Sequence, residues 1–91
     1  MQTFMIVSTF KPDVTIEQIG ALIPAEQARA LELEELGIIN SIKISMTKRT
    51  AFIEAIGESQ ESVLAAIHSL PMAAIWDIEI FPTTPPAGAA A

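Results

Sequence analysis

Cysteine is absent, which excludes disulfides, thiol catalysis and thiolate-held zinc together. Histidine occurs once, as His68, without a Ser, Asp or second His at a spacing that suggests a catalytic set. No cluster of His, Asp and Glu has metal-ligand spacing, so neither a metal nor any other cofactor is expected. Basic residues are few, 5 against 11 acids, and the net charge of -6 argues against a nucleic-acid partner. No apolar run approaches the roughly 20 residues a membrane span requires. The start Met1-Gln2-Thr3-Phe4 has neither the basic opening nor the cleavage site of a secretory leader, so a cytoplasmic location is expected.

What remains is apolar. The 91 residues make a single domain; they are 51% hydrophobic and only 18% charged, which is incompatible with a disordered segment. A domain of this size buries only about 60–65% of its unfolded surface. Half of this chain is nonetheless apolar, a surplus that implies a subunit interface.

Residues 2–10, rich in Thr, Phe, Ile and Val, read as a strand closed by Pro12. Thr15 and Gln18 have the spacing of a capping box, which starts a helix. Pro24 is expected to kink that helix or end a first short segment, with a restart carrying Ala28, Leu31 and Leu36 to a C-terminal Gly37. Residues 38–46 alternate, Ile38, Asn40, Ile42, Ile44 and Met46 to one side and Ile39, Ser41, Lys43 and Ser45 to the other. A short connection over residues 47–50 leads to a partner strand over 51–56. Ser59 caps a second helix with Val63, Leu64, Ile67 and Leu70 on one stripe, ended by Pro71. Residues 75–81 alternate again, with Trp76, Ile78 and Ile80 opposed to Asp77 and Glu79. Residues 1–81 form the domain on this reading, and 82–91 have the Pro- and Ala-rich composition of a tail.

The order β-α-β-β-α-β is the ferredoxin-like arrangement, an α+β fold. Right-handed crossovers place both helices on one face of a four-stranded antiparallel sheet with strand order 4-1-3-2. The other face is bare. Both sides of the two central strands are apolar. Placing Met5, Val7 and Thr9 under the helices puts Phe4, Ile6, Ser8 and Phe10 on the bare face. Placing Ala51, Ile53 and Ala55 under the helices puts Phe52, Glu54 and Ile56 on the bare face, with Lys43, Asp77 and Glu79 at the edges. Such a face is costly to leave wet, at about 25 cal/mol for each Å². Pairing two sheets face to face, as a dimeric α+β barrel, removes that cost, so the expected partner is a second copy of the chain.

The N-terminal strand ending at Pro12, Ala25-Glu26 in the first helix, Gly37 at its end, and above all Leu70-Pro71 leading to Asp77-Ile78-Glu79-Ile80 resemble the muconolactone isomerase family. The likeness spans roughly residues 1 to 81. It implies the dimeric barrel, further assembly of the kind family members show, and a proton-transfer isomerase acting on a small carboxylate or lactone. Glu26 matches an acidic position of that family. The family's polar positions on the first strand are Phe4, Ile6 and Phe10 here, and the hairpin has Lys48 and Arg49. These departures bear on the reaction rather than the fold. The alternative is a non-catalytic homo-oligomeric module that binds a small molecule or is purely structural.

The candidate catalytic residues are Glu26, Lys43 and Glu54. Glu26 is either a general base or an ordinary first-turn acid facing the helix dipole. Lys43, Glu54, Asp77 and Glu79 either line a dimer cavity with shifted protonation or pair as rim charges. Phe4, Ile6, Ser8, Phe10, Phe52 and Ile56, with Asp77 and Glu79, are the expected ligand pocket or dimer interface. The aromatic group Trp76, Phe4, Phe10 and Phe52 is either a hydrophobic pocket or core packing.

Overall fold

The computed structural model describes residues 1–85. Strand β1 (Gln2–Phe10) leads to helix α1 (Ile16–Glu35), then β2 (Ile39–Ser45), β3 (Thr50–Gly57), helix α2 (Gln60–His68), a 3₁₀ turn over Pro71–Ile75, and β4 (Trp76–Thr83). The strands form one antiparallel sheet in the order β2-β3-β1-β4. Both helices cover one face, so this is the ferredoxin-like α+β architecture. Neither helix is long and apolar enough to cross a membrane. The expected tail begins later than residue 82, because Pro82 and Thr83 continue β4 opposite Phe4 and Thr3. Pro82 is tolerated there because β4 is an edge strand. The tail beyond Pro85 lies outside the described residues.

Helix α1 starts as its capping box dictates. Thr15 N–H donates to Gln18 Oε1 at 2.8 Å, and Gln18 N–H donates to Thr15 Oγ1 at 3.2 Å. It does not break at Pro24, contrary to expectation, and runs for 20 residues. Pro24 deprives the carbonyl four residues back of its donor, but that residue is Gly20; both are exposed, so water can replace the bond and no side chain crowds the ring. The helix ends in a Schellman motif: Gly37 at φ 77° sends its N–H to Glu34 O, and Ile38 N–H reaches Leu33 O. Helix α2 repeats the reciprocal cap with Ser59 and Ser62. Its first turn lies so close to β3 that a Cβ on Gly57 would sit 2.5 Å from Val63 Cγ2.

The core lies between the sheet and the helices. Phe4, Ile6, Ile53 and Ala55 meet Leu33 of α1, Val63 and Ile67 of α2, and Leu70, Met72 and Trp76. Two expectations about facing are corrected by the register. Phe4 pairs with Ala55, Ile6 with Ile53, and Ser8 with Ala51. Directly paired residues share a face, so Phe4, Ile6, Ser8 and Phe10 belong under the helices and not on the bare face. The reason is volume: the small Ala51 and Ala55 leave room that the larger β1 side chains fill. Phe10 packs against Trp76, ring centroids 6.2 Å apart. The second correction lies in β2, where Ile39 pairs with Ala55 and Ser41 with Glu54. Asn40 is the extra residue of a bulge, which turns Ile39 into the core beside Ile42.

Candidate functional site

The helix-covered face contains a cleft of about 290 Å³ between α1 and the β2 side of the sheet. Helix α1 supplies Ile23, Glu26, Gln27 and Ala30, one face at spacings of three and four. The sheet supplies Ile42, Ile44, Ala51, Ile53, Phe10 and Trp76, and the 3₁₀ turn supplies Met72. Glu26 is the one ionisable residue in this lining, and Gln27 adds an amide.

The continuity of α1 through Pro24 decides what Glu26 is. The residue stands in mid-helix, so the first-turn dipole role does not apply. Its Oε1 accepts a hydrogen bond from the Met72 N–H at 2.9 Å, linking α1 to the 3₁₀ turn. Burial raises the carboxyl above its ordinary pKa, and the Met72 hydrogen bond opposes that rise. A half-buried carboxyl with one oxygen anchored and an apolar wall beside it is suited to holding or passing a proton.

Lys43 and Glu54 are not with it. Both project from the uncovered face, with the sheet between them and Glu26. The Glu54 carboxylate accepts a hydrogen bond from the Asn40 side-chain amide at the bulge. The three expected catalytic residues therefore do not form one site. Of the residues expected to line a pocket or interface, Phe10 lines the cleft, while Phe4, Ile6 and Ser8 are buried in the core. Phe52, Ile56, Asp77 and Glu79 lie on the uncovered face, as their alternation requires.

Reading across that face, Thr50, Thr9 and Asp77 share one row; Lys43, Phe52, Val7 and Glu79 the next; and Ser41, Glu54, Met5 and Phe81 the third. Its centre is apolar. Phe52 is 39% exposed and Phe81 46%. His68 sits exposed in the last turn of α2. Among the described residues no three His, Asp or Glu gather to hold a metal.

Several cleft residues were invisible to sequence reasoning as site residues: Ile23, Gln27, Ala30 and Met72. The helical spacing of 23, 26, 27 and 30 was an available signal, obscured by the expected break at Pro24. The contact with Met72, 46 residues away, had none. No family model matches the chain, and no curated protein matches it.

Proposed function

We propose that the cleft binds a small, largely apolar, neutral molecule and that Glu26 is its single acid-base group, the chemistry of a proton-transfer isomerase. The observation that carries this reading is the Glu26 carboxyl, raised by burial in a largely apolar cleft. The volume suits a molecule of roughly lactone size. A lactone fits better than a carboxylate, because the lining offers no cation and already holds one acid. One base suffices for a 1,3-shift: the carboxylate takes a proton from one carbon, the double bond moves, and the carboxyl, after exchanging that proton with solvent, protonates the carbon two atoms along. The resemblance to the muconolactone isomerase family points the same way.

A second reading is binding without turnover. It is favoured by the separation of Lys43 and Glu54 from Glu26, which leaves the carboxyl without an ionisable partner in the cleft. One experiment distinguishes the two. An unsaturated five-membered lactone is titrated against the fluorescence of Trp76, the chain's single tryptophan, and deuterium uptake from D₂O is followed by NMR. The isomerase reading requires binding by wild type and Glu26→Gln, with exchange catalysed by wild type alone. Binding without exchange in wild type supports the second reading, and no binding at all refutes the cleft as a site for this ligand class.

A further inference from the structure

When a carboxylate takes a proton from a carbon beside a carbonyl, negative charge develops on the carbonyl oxygen. A donor aimed at that oxygen is worth far more in an apolar surround than in water. The cleft lining holds no cation, and Lys43 lies on the far side of the sheet. The donor must therefore be a neutral N–H of the lining itself. Few are free. The peptide N–H groups of α1 around Glu26 are spent within the helix, and the Met72 N–H is held by Glu26. Peptide groups of the sheet lie in its plane and not towards the cleft. Trp76 Nε1 is enclosed, beyond the reach of a molecule in the open part of the cleft. The side-chain amide of Gln27 remains. It is exposed and lines the cleft, and, while Glu26 and Arg29 are bonded to Met72 and Ser69, it has no partner among the described residues. Successive helical side chains diverge by about 100°, so Gln27 and the half-buried Glu26 approach a ligand from different sides rather than each other.

We infer that Gln27 is the carbonyl-recognising residue of the cleft: its side-chain N–H donates to the carbonyl oxygen of the bound molecule, which narrows the ligand class to unsaturated cyclic carbonyl compounds. This rests on the reading of Glu26 as the acid-base group. The exposed Gln27 holds the carbonyl at the mouth, and the ring carbons turn inward to Ile42, Ile53 and Trp76, so the polar atom stays near water and the carbon skeleton lies against the apolar wall. The electron count closes without an oxidant, a reductant or a co-reactant. Glu26 takes the proton from the carbon beside the carbonyl. The C–H pair becomes a double bond to the carbonyl carbon, and the carbonyl π pair moves onto the oxygen, where the Gln27 N–H meets its charge. The oxygen pair then re-forms the carbonyl, the double bonds shift back by one place, and the carbon two atoms along takes a proton from the Glu26 carboxyl. Glu26 handles the proton and Gln27 the charge.

The test is Gln27→Met, which keeps the length of the side chain and removes its N–H, with circular dichroism confirming the fold. Two probes are titrated against Trp76 fluorescence: an unsaturated five-membered lactone and dihydrofuran, the cyclic ether that lacks only the carbonyl oxygen. Wild type is expected to prefer the lactone by about fivefold, the worth of one hydrogen bond, and Gln27→Met to lose that preference while binding the ether at least as tightly. Deuterium exchange at saturating lactone should fall by about 10²-fold or more in Gln27→Met, a larger loss than that in affinity, because the donor acts chiefly on the charge that develops during reaction. A wild type without the preference, a variant that retains it, or an equal loss for both probes overturns the role of Gln27. The affinity ratio judges Gln27 whether or not exchange is catalysed, and Glu26→Gln judges the isomerase reading, so the two can fail separately. A wild type that binds neither probe overturns both.

Discussion

Neighbouring residues of β1 should respond oppositely to the same substitution. Ile6 is fully buried between Ile53 and Ile80, whereas Val7 stands on the uncovered face between Phe52 and Glu79. Lysine at position 6 has no route to water. Deprotonating it at pH 7 against an ordinary pKa of roughly 10.4 costs about 5 kcal/mol, and keeping it charged costs several kcal/mol as well. Lost packing of the isoleucine adds about 1–2 kcal/mol. A chain of this length has roughly 5–14 kcal/mol of stability in all, so Ile6→Lys should leave the protein unfolded or barely folded.

Val7→Lys should change monomer stability by no more than about 1 kcal/mol. Its stem can lie along Phe52 while the ammonium reaches Glu79 directly across the strand pair. Urea unfolding followed by Trp76 fluorescence and circular dichroism measures both variants. A cooperatively folded Ile6→Lys protein of near wild-type stability would refute the facing of β1 and, with it, the description of the core. An unfolded Val7→Lys protein would refute the placement of Val7 on the face away from the helices.

The remaining two predictions concern buried polar groups. Since burial raises the folded pKa of Glu26, the native state holds its proton more tightly than the unfolded chain. That contribution is fully present below the unfolded carboxylate value and is lost as pH rises through the folded one. Wild type should therefore lose stability relative to Glu26→Gln on going from about pH 4 to pH 8; chemical denaturation at the two limits checks it, and a gain with pH would contradict the burial argument. Ser8 Oγ is buried with no hydrogen-bond partner among the described residues. Ser8→Ala should stabilise by about 1 kcal/mol, seen as a higher urea midpoint with an unchanged slope, and destabilisation would mean that the hydroxyl is paired.

The parts of the fold that were readable are those whose causes are local. Thr15 with Gln18, Ser59, and Gly37 act within a few residues, and each caps a helix where its chemistry requires. The alternation of β4 places Trp76 inside and Asp77 outside without ambiguity. The unreadable parts have non-local causes. Phe4-Met5-Ile6-Val7 is apolar on both sides, so only the registry with Ala55 and Ile53 decides which side is core. Asn40 carries no mark that it is extra; the bulge exists because β2 must meet β3 at both Ile39 and Ser41. Pro24 argued for a break that Gly20 and solvent exposure make unnecessary. The cleft inherited that error, because Glu26 meets Met72 only if α1 continues past Pro24.

Strand parity then explains how so short a chain supports two surfaces of different character. Ile42 and Ile44 flank Lys43, Ala51 and Ile53 flank Phe52, and Trp76 precedes Asp77. In each case the cleft residue and the exposed-face residue are covalent neighbours pointing to opposite sides of one pleated backbone. The same sheet that buries one wall of the Glu26 cleft thereby displays the edge charges and the apolar centre on its far side. Dividing these groups needs no second domain. It does require that β1 and β3, shared by both surfaces, be apolar on both sides, which is why half the chain is hydrophobic and why its two central strands could not be oriented by composition.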